Sequence, residues 1–495
     1  MARLLLNPLV PVFFGLATLA ACSSGNSSST TGTSSTSTTG SSAGGSGGGT
    51  TTATTSTTST TSTTAATTGT GGMGGGTTAG TGGMGGGTGG AGGMGGMGGM
   101  GGIGGMGGMG GVPDLDQDND GWTVGEGDCC DTAGSCGSPA LVNPGAFEYP
   151  GNGVDDDCDP ATPDNAPIPN CSAGALIVPT SSDDLIKAMD LCQFTTESPP
   201  KPQKKWGVIA TNLLRADGTS AMGSPKDLQV GVLSEYGPNV LPRKGSTMAA
   251  LASGTARDLA DPGYVHPQNG PLAGQNGNFN AGSQVSVPPD WLAAHNGTVP
   301  NPGNCPPCNG ATCTQAFDSV DLKARIRVPT NAKSFSYSLK FYTSEYPEFV
   351  CQQYNDFFLT LLKSAWVPDP NANPPQQPLP LDKNIARDAQ GNAVSVNNAF
   401  LEVCFPTVNA PPGACPGGTL ELVGTGMGGW DVGGQPNLKD GGATLWLIND
   451  APVVPGETIE IQWVVWDAGD HNVDSLVLLD KFRWNVTPSP VGVHK

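Results

Sequence analysis

Thr458-Ile459-Glu460-Ile461-Gln462-Trp463-Val464-Val465-Trp466 places apolar side chains at 459, 461, 463 and 465, and this period of two is that of a strand with one face in a core. Similar segments lie on both sides of it. They are 206–214, 229–234, 322–328, 334–342, 357–363, 399–404, 419–423, 443–448 and 475–484, rich in β-branched or aromatic residues and separated by Gly, Pro and Asn turns. One helix interrupts the pattern. Thr180, Ser181 or Ser182 can cap it, Asp183 and Asp184 suit its positive end, and Leu185, Ile186, Met189 and Leu191 give it an apolar side. Many short strands with long connections predict a mainly β fold, an antiparallel β-sandwich of jelly-roll type, over residues 171–486.

At 495 residues the chain has length for about three domains, but residues 1–111 are too poor in apolar side chains to form a core, which leaves roughly two. Only 13% of residues are charged, while 76 glycines and 43 prolines mark much loop and linker. Of the formal net charge of -20, a large part sits in residues 112–165, which hold thirteen Asp and Glu and no Lys or Arg. Such a density points to bound cations and away from nucleic acid, whose phosphates need basic patches.

Residues 1–22 carry Arg3, then an apolar run over 4–19 broken by Asn7, Pro8 and Pro11, which reads as a cleaved signal rather than a membrane span. Leu19-Ala20-Ala21-Cys22 resembles the lipobox of bacterial lipoproteins. The resemblance implies cleavage before Cys22 and lipidation of its thiol, and Ser23 and Ser24 after it imply passage to the outer membrane. Several acyl chains, not one, make such an anchor stable. Of the 13 cysteines, twelve then remain, an even set that fits disulfides in an oxidising compartment.

From residue 23 to 111 the chain is Ser, Thr and Gly, then Gly-Gly-Met repeats with Met94, Met97, Met100, Met106 and Met109. It buries too little to offset its ordering entropy, so a disordered tether is expected. About 90 residues of flexible coil reach roughly 50 Å, enough to hold the folded part off a membrane. Thioethers suit Cu(I), but nothing rigid positions these sulfurs, which favours a spacer.

In residues 112–165, Asp116-Gln117-Asp118-Asn119-Asp120-Gly121-Trp122 puts carboxylates at alternate positions, Gly at the sixth for a sharp turn, and the Trp122 carbonyl next. This is the first half of an EF-hand-like calcium loop. Gly127 stands where the closing Glu belongs, so closure falls to Asp128 or to a later residue. Then come Gly127-Asp128-Cys129-Cys130-Asp131, Asn143-Pro144-Gly145-Ala146-Phe147-Glu148 and Asn152-Gly153-Val154-Asp155-Asp156-Asp157-Cys158-Asp159. In this order the four islands resemble the MopE-type metal-binding repeat of bacterial surface proteins. The resemblance implies metal ligation by Asp116, Asp118, Asp120, Trp122, Asp128, Asp131, Glu148, Asp155 and Asp157, and a shared disulfide between Cys129 and Cys158. Cys130 replaces an Asp of the pattern, and with Cys136 nearby it reads as an added local disulfide. A segment this short, with Trp122, Leu141, Phe147, Tyr149 and Val154 for a core, needs metal and cystines to hold it. Hard oxygen ligands favour Ca2+, whereas copper finds no His here; the competing reading is a solvated acidic linker.

Further on, Phe341-Tyr342-Thr343-Ser344-Glu345-Tyr346-Pro347-Glu348-Phe349-Val350 with Tyr354-Asn355-Asp356-Phe357-Phe358 resembles the signature of the choice-of-anchor L domain of bacterial surface proteins. Ala252-Ser253-Gly254, Asp261-Pro262-Gly263-Tyr264 and the segment from Asp467 to Ser475 fit the same pattern. The resemblance implies an anchored, exported protein and carries no general activity. Glu345, Asn355, Asp356, Asp467, Asp470 and Asp474 stand beside strand ends, either as a second oxygen-ligand metal site or as ordinary turn residues bonding local backbone.

Catalytic signals are sparse. The folded part has no nucleophile elbow, no zinc-protease helix motif and no phosphate loop, and of four His, His471 beside Asp470 reads as a loop residue rather than an acid/base pair. Cys305-Pro306-Pro307-Cys308 has the spacing of a redox pair but lacks the surrounding βαβ pattern, and Cys313 follows closely; loop disulfides are favoured over a zinc knuckle. Trp430 and Trp446 offer glycan or protein contact but more naturally fill the core. The expected function is a non-catalytic calcium-binding lipoprotein at the cell surface, anchored to the membrane by lipid, with a surface glycan or protein as its partner. The alternative is an extracellular hydrolase using paired carboxylates near Glu345 and Asp467.

Overall fold

The computed structural model describes residues 114–495 except 133, 135, 166–170, 172–173, 222–223, 268–278, 303–304, 309, 399, 407–412 and 430–438. Cys22, the tether with its methionines, and Trp430 therefore lie outside the described residues. Among the described residues no helix is long and apolar enough to cross a membrane.

Two antiparallel sheets pack face to face. The first runs β1 (Gly207–Leu214), β5 (Gln315–Arg327), β12 (Thr458–Asp467), β7 (Phe357–Lys363), β8 (Val394–Ser395), with β4 (Gln284–Ser286) also on β5. The second runs β14 (Gly492–His494), β11 (Leu447–Pro452), β6 (Ser334–Thr343), β13 (Ser475–Asn485), β3 (Met248–Ala252), β2 (Val230–Leu233), with β10 (Gly442–Thr444) on β6 and β9 (Leu401–Cys404) on β10. From β5 to β7 and again from β11 to β13 the chain crosses between sheets at each step, the connectivity of a jelly-roll-like sandwich.

The alternation in β12 is what builds the interior. Ile459, Ile461, Trp463 and Val465 face the space between the sheets, where they meet Phe335, Tyr337, Leu339 and Phe341 of β6, Phe358 and Leu362 of β7, and Val477 and Leu479 of β13. Each such buried side chain contributes about 1.5–3 kcal/mol. The other face of β12 is covered too: Val464 and Trp466 pack under Trp291 of the helix α3 (Pro289–Ala294). Two other short helices are present among the described residues, α1 (Ser182–Ala188) and α2 (Ser224–Gln229). α1 is capped by Ser181, with Asp184 closing a capping box, and sets Leu185 and Ile186 into the central core.

Two predicted strands differ. Residues 419–423 form a 3-10 turn, Leu420–Leu422, because glycines flank it and only Leu422 has a core to enter. Residues 443–448 are split between β10 and β11, whose registers on β6 differ by one residue, from Ala443 opposite Tyr342 to Leu447 opposite Leu339. The residues between form a bulge, and half-buried Trp446 packs on the outer core of the second sheet.

The regular elements among the described residues of 114–165 are the 3-10 turns Val124–Glu126 and Pro139–Leu141. The segment lies on the sandwich at the turn after β5. Thr330 N donates to Gly145 O (3.0 Å), Phe147 N to Asn331 Oδ1 (3.0 Å), and Asn331 Nδ2 to Phe147 O (2.9 Å). Lys201 pairs with Glu126 at 2.6 Å and Lys205 with Asp159 at 2.7 Å. Disulfides join Cys129–Cys158, Cys130–Cys136, Cys171–Cys192, Cys305–Cys351, Cys308–Cys313 and Cys404–Cys415. Cys305 and Cys308 thus take different partners, which removes the redox-pair reading of that motif.

Candidate metal centres

Three acidic clusters carry the chemistry. The first is built by the turn at 116–122. Asn119 and Gly121 adopt positive φ of 63° and 93°, so the chain curls back and Asp116 accepts from Asn119 N (2.7 Å) and Gly121 N (2.9 Å). Carboxylate oxygens of Asp116, Asp118 and Asp131 lie within 4.8 Å of one another, as do those of Asp118, Asp120 and Asp128, so Asp118 belongs to both triads. Asp131 is fixed by Gln117 N (2.6 Å), Asp128 by Cys130 N (2.8 Å) and Asp120 by Trp122 N (2.8 Å) and Asn143 Nδ2 (2.7 Å). Asp116, Asp120 and Asp131 have both oxygens bonded, whereas Asp128 is held by one. Asp118 Oδ2 and Asp128 Oδ2 are buried with no partner.

Burial raises the Asp118 carboxyl above its ordinary value, backbone hydrogen bonding opposes this, and Asp116 and Asp131 add to the rise. Asp120 is pushed up to about 6, and Asp128 is raised, in both cases chiefly by desolvation. The Trp122 ring is buried and lies 5.8 Å from the Lys201 ammonium.

The structure places Glu148, Asp155 and Asp157 in a separate cluster, again within 4.8 Å. Glu148 Oε2 accepts from Asp156 N (2.8 Å), while Oε1 is buried without a partner. Desolvation pushes Glu148 up to about 7. Asp157 accepts from Thr162 Oγ1 (2.8 Å) and Asp159 N (3.0 Å), and Asp155 from Asp159 N (3.1 Å). Asp156 is occupied instead by Tyr149 N and Asn152 Nδ2.

The third cluster lies inside the sandwich. Glu345, Asp356 and Asp467 are fully buried with carboxylate oxygens within 4.8 Å of one another. Burial raises all three; neighbouring carboxylates raise Glu345 and Asp467 further, while hydrogen bonds from Ser475 and Ala468 oppose the rise at Asp356. Asp474 is buried beside them, with neither oxygen partnered, and acts on Asp467. Gly254 makes room for it: a Cβ there would come within 1.9 Å of Asp474 Oδ2. Of the other two candidates, Asp470 does turn chemistry and Asn355 ties two distant loops together. Asp470 Oδ1 accepts from Asn472 N (2.8 Å), and Asn355 Oδ1 from Asn397 N (2.9 Å).

Sequence reasoning missed Asp318. It sits at a β-bulge with φ 47°, is buried, and accepts from His471 Nδ1 at 2.8 Å, so His471 partners Asp318 rather than Asp470. An Asp inside a strand pattern was the available signal. Among the described residues the cavity beside Asn355, Phe357, Trp466 and Ala468 measures about 20 Å³, room for one water. Neither Glu345 nor Asp467 can meet a polymer where it stands.

No curated protein and no solved structure matches the chain. Residues 324–483, from within β5 to within β13, match the family model of the choice-of-anchor L domain.

Proposed function

We propose that this chain is a cell-surface, extracytoplasmic, non-catalytic module whose acidic segment binds calcium and is thereby fixed to the β-sandwich. The choice-of-anchor L domain at 324–483 supports the surface setting and the non-catalytic reading. In this reading lipid on Cys22 supplies the membrane anchor, the tether carries the folded part outward, and the sandwich meets a surface glycan or protein.

One observation carries the calcium reading: Asp118, Asp128 and Glu148 each aim an unpartnered, buried carboxylate oxygen into a cluster of other carboxylates. Buried charge of one sign needs a counter-charge, and hard oxygens at flexible geometry suit Ca2+. The residues present therefore fit the ion, with Asp116, Asp118, Asp120, Asp128 and Asp131 in one group and Glu148, Asp155 and Asp157 in another. The hydrolase alternative is disfavoured by the burial of Glu345 and Asp467, since paired catalytic carboxylates must face a groove. Calorimetric titration of the chelator-stripped full chain with calcium tests the proposal. Heat of binding with a rise in melting temperature is expected, and neither would appear if the clusters take no ion.

A further inference from the structure

We propose that Glu345, Asp356 and Asp467 form a second calcium site, distinct from the acidic segment, that ties the two sheets together at one end of the sandwich. The proposal goes beyond the surface-module reading and does not depend on ions in residues 114–165.

The placement follows from strand periodicity. In β12 the inward series Ile459, Ile461, Trp463, Val465 continues to Asp467. In β7 the inward residues Phe358 and Leu362 continue backward to Asp356, and in β6 the series Phe335, Tyr337, Leu339, Phe341 continues past Thr343 to Glu345. In β13, Val477 and Leu479 continue backward to Ser475. Register puts these four termini at the same end: Ser475 lies opposite Thr343, and Trp466 opposite Phe357. The inward positions at this end are therefore Thr343 with Ser475 and, two residues on, Glu345 from one sheet, facing Asp356 and Asp467 from the other. Apolar side chains fill the layers behind, and this end brings three carboxylates together.

Hydrogen bonding leaves this end incomplete. Asp356 is held by Ala468 N (2.9 Å) and Ser475 Oγ (2.6 Å), which bridges the sheets. Asp467 has no donor on either oxygen, and Glu345 Oε2 has none. The charged groups acting on the three are other carboxylates, Asp470 and Asp474 among them. Three oxygens within 4.8 Å of one another, from the end of β12 and from the residues just after β6 and just before β7, can surround a cation whose oxygen contacts are about 2.3–2.6 Å. The bulge in β12 between Val465 and Asp467 is a device that re-aims strand ends at such positions.

Two measurements test this. Equilibrium dialysis with calcium compares the full chain with Asp467→Asn, which keeps the side-chain size, and with the double variant Asp118→Asn/Asp128→Asn. Asp467→Asn should bind one ion fewer than wild type, while the double variant keeps that ion. An unchanged count in Asp467→Asn overturns the inter-sheet site, whereas an unchanged count in the double variant counts against the acidic segment alone. The second measurement needs no variant to fold: crystals of the wild-type chain grown with terbium should show anomalous density between Glu345, Asp356 and Asp467. Density confined to residues 116–157 would overturn the proposal.

Discussion

Asn143 donates its side-chain amide to Asp120 Oδ2 at 2.7 Å. The same side chain is fully buried, and its oxygen accepts from Thr330 Oγ1 at 2.6 Å and from Gly145 N at 2.9 Å. One amide therefore connects the acidic turn to the loop after β5. Asn143→Ala should destabilise the chain by about 1–3 kcal/mol in saturating calcium, because it strands buried partners on both sides. Urea denaturation measures this, and a change below about 0.5 kcal/mol would show that the amide is not a structural link.

Cys129 and Cys158 close a loop with a sequence separation of 29 between the two acidic clusters. The chain-entropy model gives such a crosslink about 3.5 kcal/mol of stabilisation. Cys129→Ser/Cys158→Ser should lose roughly that amount for residues 114–165 and weaken calcium binding, measured by hydrogen exchange and titration. Equal protection with and without the bond would contradict the prediction.

Asp321 gives the pH dependence. Its side chain is buried on the outer face of β5, accepts from Gln462 Nε2 at 2.6 Å, and is pushed up to about 7 from an ordinary value of 3.8, chiefly by desolvation. The folded state therefore holds a proton that the unfolded state releases between about pH 4 and pH 7. Its contribution to stability is complete at low pH and is lost as pH rises through that window. Asp321→Asn should match wild type near pH 4 and exceed it at pH 8 by at most about 4 kcal/mol. A stability difference that does not change with pH would contradict the assignment.

Removal of the metal should be visible at Trp122, which is buried against the acidic turn. The difference in emission between wild type and Trp122→Phe should shift to longer wavelength in EDTA and return with calcium. An EDTA-insensitive difference spectrum would mean that the turn keeps its shape without an ion.

Much of the sandwich was legible because its central strands have one dominant signal. Ile459, Ile461, Trp463 and Val465 alternate cleanly, and the structure buries all four between the sheets. Met248–Ala252 carried no such signal, since Met-Ala-Ala-Leu-Ala lacks β-branched residues; it becomes β3 because small side chains fit between β2 and β13. The spacing of Asp116, Asp118 and Asp120 pointed to a carboxylate turn, and the backbone does curl there. Sequence could not show that Glu148, Asp155 and Asp157 stand apart from that turn, nor that Asp470 bonds the local backbone of Asn472 while Asn355 bonds the distant backbone of Asn397. Those outcomes depend on loop paths, and no periodicity encodes them.

Amide hydrogen exchange across residues 114–165 of the full chain, cystines intact, bears most directly on calcium as the element that shapes this segment. With calcium present the amides bonded to Asp116, Asp128 and Asp131 should be protected, and excess EDTA should remove that protection. Equal protection in EDTA and in calcium would show that the segment holds its form without the ion.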